Sequence, residues 1–228
     1  ARAKNADEQF RTYVAALTGM DAALGRLFAE LESMGVAQNT LIVFSSDNGP
    51  EDYAIGNAAN AGMGYAGELR ARKRSIYEGG VRVPLLVVWP GHVPAGRVDR
   101  ESILSAVDLV PTLAALIGSD AAKPDHAQGG DGEDVSPAWL GGSHSRQKPL
   151  MWEWRFNVSG AKANSAPQLA IRRGEWKYLC DPEGAREELY RIVDDTEEHQ
   201  SVAMEHPEIV GQLRKTLLDW HREMVGSP

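Results

Sequence analysis

Cysteine, net positive charge and long apolar runs are all scarce in this chain. Cys180 is the single cysteine among 228 residues, which excludes an internal disulfide and any metal site built on several thiolates. It lies in an apolar hairpin segment, where a free thiol behaves as a small buried hydrophobe. Lys and Arg number 24 against 32 Asp and Glu, a net charge of −8. That balance lacks the clustered cations needed to neutralise a nucleic-acid backbone, so no nucleic-acid partner is expected. No run of about 18 apolar residues is present to span a bilayer. The first residues, ARAKNADEQ, are polar where a signal peptide would be basic and then apolar. A chain that begins partway through a longer protein would lack such a signal too.

What remains is an ordinary globular composition, 43% hydrophobic and 25% charged, long enough for one large domain or a domain plus a subdomain. Apolar residues from Phe10 to Met34 recur at three and four, which predicts a helix over Asn5 to Met34 with its apolar face in a core. Asn5 and Glu8 have the spacing of a capping box, and Gly35 suits the C-terminal stop. Leu41 to Phe44 and Leu85 to Trp89 are apolar runs suited to strands covered on both faces, as in a parallel sheet. Tyr53 to Gly67, rich in Ala, Gly and Asn, reads as a loop. Ser105 to Gly118 predicts a second helix with Asp108 as N-cap. Ser119 to Pro137 is polar connection, and Gly141 to Pro149 is the candidate boundary between an α/β part, residues 1–145, and a smaller part, residues 146–228. In the latter, Gln168 to Arg173 and Trp176 to Cys180 read as a hairpin about Gly174-Glu175, a turn with glycine first as type II′ requires. Glu188 to Ile192 adds a third strand and Pro207 to Met224 an amphipathic helix.

The stretch that organises the rest is TLIVFSSDNGP, Thr40 to Pro50. Asp47 and Asn48 stand where the strand runs out, the place at which open α/β sheets bind ligands, and their oxygens are hard donors that suit Ca²⁺ or Mg²⁺ better than Zn²⁺. A tight turn would use the same triplet Asp-Asn-Gly, so from the residues alone both a turn and a metal site stay open.

SSDNGPE at 45–51, LRARKRSIYEGGVRVPLLVVWPGHVPAG at 69–96 and SAVDLVPTLAALIG at 105–118 together resemble the sulfatase family. The likeness continues through AIRRGEWKYL at 170–179 and ELYRIVDDTEEHQSVA at 188–203 to the last helix. It implies the trailing part of an alkaline-phosphatase-like α/β domain, a mixed sheet sandwiched by helices, followed by a small C-terminal α+β subdomain with an antiparallel sheet and one helix. It also implies that Asp47 and Asn48 are ligands of a Ca²⁺ or Mg²⁺ ion and that Lys73 is the catalytic, substrate-binding lysine contacting the sulfate ester. Where the family commonly has glycines about this lysine, Ala71, Arg72 and Arg74 stand here. Either the two arginines face solvent, or they address further anionic groups of a polysulfated substrate.

The family's nucleophile is a formylglycine made from a Cys/Ser-x-Pro-x-Arg motif earlier in the chain. Cys180 does not fit that motif. His92, His126, His144, His199, His206 and His221 match no catalytic position and are expected at the surface. The resemblance thus implies the C-terminal part of a hydrolase of sulfate esters, either small molecules or sulfated glycans. Its N-terminal part, carrying the nucleophile, is expected as the partner of these residues, and the isolated segment is expected to be inactive. A periplasmic or secreted location is expected, with no membrane span. The alternatives are a phosphoester or phosphonate hydrolase of the same superfamily, and a non-catalytic, metal-stabilised binding module.

Overall fold

The computed structural model describes residues 2–51, 64–119, 130–155 and 165–226, with side chains described from Glu8 onward. The chain divides into two compact units, Ala1–Gly91 with Asn157–Ser165, and His92–Phe156 with Ala166–Pro228.

The first unit opens with helix α1, Arg2–Ser33. Asn5 therefore lies inside the helix rather than at its cap, a correction to the capping box expected from its spacing with Glu8. The other end is closed as the sequence indicates: Gly35 N–H donates to the Glu32 carbonyl at 3.0 Å and Val36 N–H to the Leu31 carbonyl at 3.1 Å, the paired bonds of a Schellman stop. The periodic apolar face does not meet a core among the described residues. Phe10, Val14, Leu17, Met20, Leu27 and Phe28 are 40–54% exposed.

Strand β1, Ile42–Ser45, is followed by the one-turn helix α2, Glu78–Val81, and strand β2, Leu85–Val88. The two strands pair antiparallel, with Ile42 opposite Val88 and Ser45 opposite Leu85. This corrects the parallel pairing expected from their apolar runs. The cause is the return path: Gly49 N–H donates to the Gly80 carbonyl at 2.9 Å, so the chain comes back to the end of β1 it left from and no crossover is made. The strands are also less covered than expected, since Phe44, Leu85, Leu86 and Val88 are all exposed.

The second unit carries α3, Leu109–Leu116, and the short α4, Ser136–Trp139. Asp108 is the N-cap of α3, as expected, but it makes no side-chain capping bond there; it also ends a 3₁₀ turn (Ala106–Asp108) and reaches back to accept the Ser105 N–H at 2.7 Å. It is buried, and it also accepts from Glu133 N–H at 2.9 Å and Arg146 Nη1 at 2.7 Å.

Strands β3, Leu150–Glu153, β4, Leu169–Arg173, β5, Trp176–Cys180, and β6, Glu188–Arg191, form an antiparallel sheet in sequence order. β3 is an addition to the strands expected; it lies just past the polar run 141–149. Arg173 pairs with Trp176 across the two-residue turn. Gly174 there has φ 58° while Glu175 is not among the residues with positive φ, the combination a type II′ turn needs. Helix α5, Pro207–Val225, starts on a proline that forfeits no intrahelical bond, and buries Val210, Leu213 and Leu217, one face at helical spacing. These pack with Leu169, Ile171, Tyr178, Cys180 and Leu189 into the core of the unit. Each such side chain contributes roughly 1.5–3 kcal/mol through burial.

Candidate functional site

The site is built where β1 ends. Asp47 is exposed and Asn48 half-buried. Asn48 Nδ2 donates to the Gly49 carbonyl at 2.8 Å, and Ser46 Oγ donates to the Asn48 carbonyl at 2.9 Å. With its amide nitrogen so engaged, Asn48 keeps Oδ1 as an available donor. The Asp47 carboxylate makes no hydrogen bond or ion pair with a described residue. A carboxylate and an amide oxygen on adjacent residues are the donor chemistry of a hard cation, though they cover only part of the six to eight or so oxygens that Ca²⁺ takes. The main chain bends through Asp47 to Gly49, as the triplet would in a turn, while these side-chain oxygens stay unspent among the described residues.

The segment carrying Lys73 is packed directly onto this turn. Lys73 N–H donates to the Pro50 carbonyl at 3.0 Å, and Gly79 N–H to the Arg70 carbonyl at 2.8 Å. Three glycines make the approach possible. A Cβ on Gly49 would stand 1.8 Å from the Gly79 carbonyl oxygen, one on Gly79 2.2 Å from the Ala71 oxygen, and one on Gly80 2.0 Å from the Ser75 oxygen. Tyr77 is buried beneath, with the Arg70 guanidinium 3.8 Å from its ring centroid, a cation–π contact.

Of the three residues that stand where the resemblance would place glycines, Ala71 and Arg74 keep a glycine-like backbone, and Arg72 does not. Ala71 has φ 63° and Arg74 φ 69°, left-handed conformations that cost an ordinary residue roughly 1–2 kcal/mol each. Neither arginine is left to solvent. Arg72 Nη1 donates to the Gly64 carbonyl at 2.8 Å, and Arg74 Nη1 pairs with Glu51 Oε1. The Lys73 ammonium, by contrast, has no hydrogen bond or ion pair with a described residue. In the run RARKR, residues 70–74, the three arginines have partners at Tyr77, Gly64 and Glu51. Glu51 and Gly64 are the residues that sequence reasoning missed, and no local pattern could have found them, since their partners lie 23 and 8 positions away.

The histidines depart from expectation in two places. His144 Nε2 lies 2.7 Å from Glu133 Oε2, and His221 Nε2 lies 3.1 Å from Glu153 Oε1, both partly buried rather than at the surface. Distant acidic partners draw them in. His92 and His199 are exposed, the His206 ring lies tilted against Trp176 with centroids 4.9 Å apart, and His126 lies outside the described residues, as does most of the loop expected over Tyr53 to Gly67. Asp195, Glu197 and His199 gather near one another, but the Asp195 carboxylate is spent on capping the N–H groups of His199 and Gln200 at 2.9 and 3.0 Å. Cys180 is fully buried, and burial above all pushes its thiol pKa up, as an inert cysteine requires.

Comparison with known proteins gives a consistent picture. The family model described as Sulfatase matches residues 1–119, and that described as N-sulphoglucosamine sulphohydrolase, C-terminal, matches residues 68–223. Human arylsulfatase A is 41% identical over 163 residues, covering 71% of this chain and 29% of that protein. The N-acetylgalactosamine-6-O-sulfatase of Bacteroides thetaiotaomicron is 28% identical over 217 residues, covering 87% of this chain and 39% of that protein. Among solved structures, that of Ps i-CgsB superposes with a TM-score of 0.75 at 30% identity, covering 93% of this chain and 43% of that one. The fold is thus the alkaline-phosphatase-like α/β fold of these enzymes with its antiparallel C-terminal part. The chain spans about a third of the length of the curated relatives it matches.

Proposed function

The chain belongs to the sulfatase family, and on that premise we propose that the intact protein hydrolyses sulfate esters, with Lys73 acting on the ester and Asp47 and Asn48 holding a divalent cation, Ca²⁺ or Mg²⁺. One observation carries this: the main chain of Lys73 is hydrogen-bonded to Pro50, two residues beyond Asn48, while its ammonium has no partner among the described residues. Held there, the ammonium donates to a sulfate oxygen and offsets the charge that grows on the departing oxygen, a role in which preorganised charge is most effective. The Asp47 carboxylate and Asn48 Oδ1 are the oxygens this chain offers to the cation. When bound, that ion supplies Lewis-acid polarisation of the sulfate and lowers the cost of gathering a nucleophile beside an anion.

The nucleophile, a formylglycine in this proposal, belongs to a part of the protein outside residues 1–228. Cys180 is unfit for the role by burial. In the same proposal the outside part covers the exposed apolar stripe of α1 and the exposed residues of β1 and β2. Residues 1–228 alone are accordingly inactive. The names of the relatives include an arylsulfatase and an amino-sugar sulfatase, so the substrate class proposed is a small sulfate ester or a sulfated glycan. A Ca²⁺ centre suits a periplasmic or secreted enzyme; among the described residues no helix is long and apolar enough to cross a membrane.

The test is to assay the intact protein on an aryl sulfate and the matching aryl phosphate, with Lys73→Ala as control. Sulfate turnover that depends on Lys73 supports the proposal. Turnover of the phosphate alone would make the protein a phosphoester hydrolase, and turnover of neither a binding module.

A further inference from the structure

Glu51 and Gly64 border residues 52–63, and both are held by the arginines that flank Lys73. Arg74 pairs with the Glu51 carboxylate, and Arg72 Nη1 reaches the Gly64 carbonyl at 2.8 Å. Gly64 in turn lies so close to Pro50 that a Cβ on it would stand 2.4 Å from the Pro50 Cβ. Pro50 is the residue whose carbonyl receives the Lys73 N–H at 3.0 Å. A closed ring of contacts thus surrounds the main chain of one lysine. Arg74 takes its place in the ring with φ 69°, a conformation that arginine seldom adopts and that a merely solvated side chain gives no cause to keep.

We propose that Arg72, Arg74 and Glu51 are positioning residues that fix the Lys73 main chain on Pro50, so that the ammonium is held in register with Asp47 and Asn48. They do not bind the substrate. Both guanidiniums are engaged by the protein, at a carboxylate and a carbonyl, and the ester meets Lys73 as the cation of this run. The proposal rests on the role given to Lys73 above.

The test is steady-state kinetics of the intact protein on a monosulfated and a polysulfated substrate. The variants are Lys73→Ala, Arg72→Gln, Arg74→Gln and Glu51→Gln, with the last two also made together and each also made in the Lys73→Ala background. Thermal midpoints report folding. Arg74→Gln and Glu51→Gln are each expected to lower kcat about 10- to 100-fold, the scale of a misplaced catalytic group, with KM nearly unchanged on both substrates. Arg72→Gln is expected to follow them with a smaller loss. The Arg74→Gln/Glu51→Gln pair should be no worse than either single change, and neither change should reduce the residual activity of Lys73→Ala, because both act through that lysine. If Arg74→Gln does not fold, Arg74→Lys, which keeps a cation opposite Glu51, is expected to retain a kcat above that of Glu51→Gln. A KM that rises with Arg74→Gln, more so on the polysulfated substrate, while Glu51→Gln is silent would make Arg74 a substrate contact and overturn the proposal. So would losses that persist undiminished in the Lys73→Ala background. Failure of the underlying role has a separate signature: Lys73→Ala itself then leaves kcat/KM intact.

Discussion

Lys177 Nζ and Glu198 Oε1 lie 2.9 Å apart with both side chains at 0% exposure, an ion pair sealed inside the C-terminal unit. Lys177 is on β5, and its ammonium also stands 5.9 Å from the ring centroid of Trp152 on β3. The pair joins the sheet to the segment between β6 and α5. Its desolvation is so costly that the net gain over an apolar pair is small, whereas removing one partner strands the other. Lys177→Met or Glu198→Leu alone should therefore cost about 3–5 kcal/mol, and the two together far less than their sum. Denaturant midpoints of the intact protein and its variants check this, and additive losses would show that the charges act independently.

Acid should loosen the same unit at Asp181. The Arg186 guanidinium grips this carboxylate through two bonds of 2.6 Å, and Gln168 N–H adds a third at 3.2 Å. The hydrogen bonds from Arg186, foremost, hold the Asp181 carboxyl below its ordinary value of 3.8 in spite of partial burial. A lowered folded-state pKa contributes stability that is present above the ordinary value and is lost as pH falls through it toward the lowered one. Asp181→Asn should cost about 1–2 kcal/mol near neutral pH, modest because Arg186 is half exposed. The gap between variant and wild type should begin to narrow as pH falls below about 5 and go on narrowing below 3.8. Thermal midpoints across that range test it; a gap independent of pH would assign the effect to packing.

Much of this was legible in the sequence, and the failures have physical causes. Helical and strand periods placed α1, α5 and the β4–β5 hairpin, because each pattern reports which face is apolar. The same patterns do not report what covers that face, so the α1 stripe was expected in a core and stands exposed at Phe10 and Leu27. Nor does an apolar run carry strand direction: β1 and β2 run antiparallel because Gly80 returns the chain to Gly49. Asp47, Asn48 and Lys73, the residues proposed for the site, could be named from the family resemblance. The engagement of Arg72 and Arg74 could not, since a charge in a run of charges reads as solvated until its partner is located in space.

Gly49 should be the least replaceable residue of the site. Its missing Cβ is the space taken by the Gly79 carbonyl, and main-chain atoms there have no rotamer by which to retreat. Gly49→Ala is expected to lower stability by about 1–3 kcal/mol or more and to lower kcat together with it, since the Lys73 segment must move off the turn. Activity and thermal midpoint measured on one preparation check this. Full activity with Ala at 49 would mean that the close approach of the two segments is dispensable.

Metal removal should expose the role of Asp47. Chelation of the intact protein is expected to abolish turnover and Ca²⁺ to restore it, while Asp47→Ala should weaken Ca²⁺ binding by about 10-fold or more through loss of a charged ligand. Residues 1–228 alone should bind Ca²⁺ poorly, with too few oxygens. Calorimetry on both proteins decides the matter, and tight binding by the isolated chain that Asp47→Ala abolishes would show that the remaining ligands lie within it.

The central claim is that Lys73 acts on the transition state of sulfate ester hydrolysis, and the kinetics of Lys73→Ala in the intact protein test it most directly. The account predicts a fall in kcat/KM of roughly 10²–10³, the scale of one lost preorganised donor, carried mainly by kcat. An unaltered kcat/KM on both a monosulfated and a polysulfated substrate would contradict it.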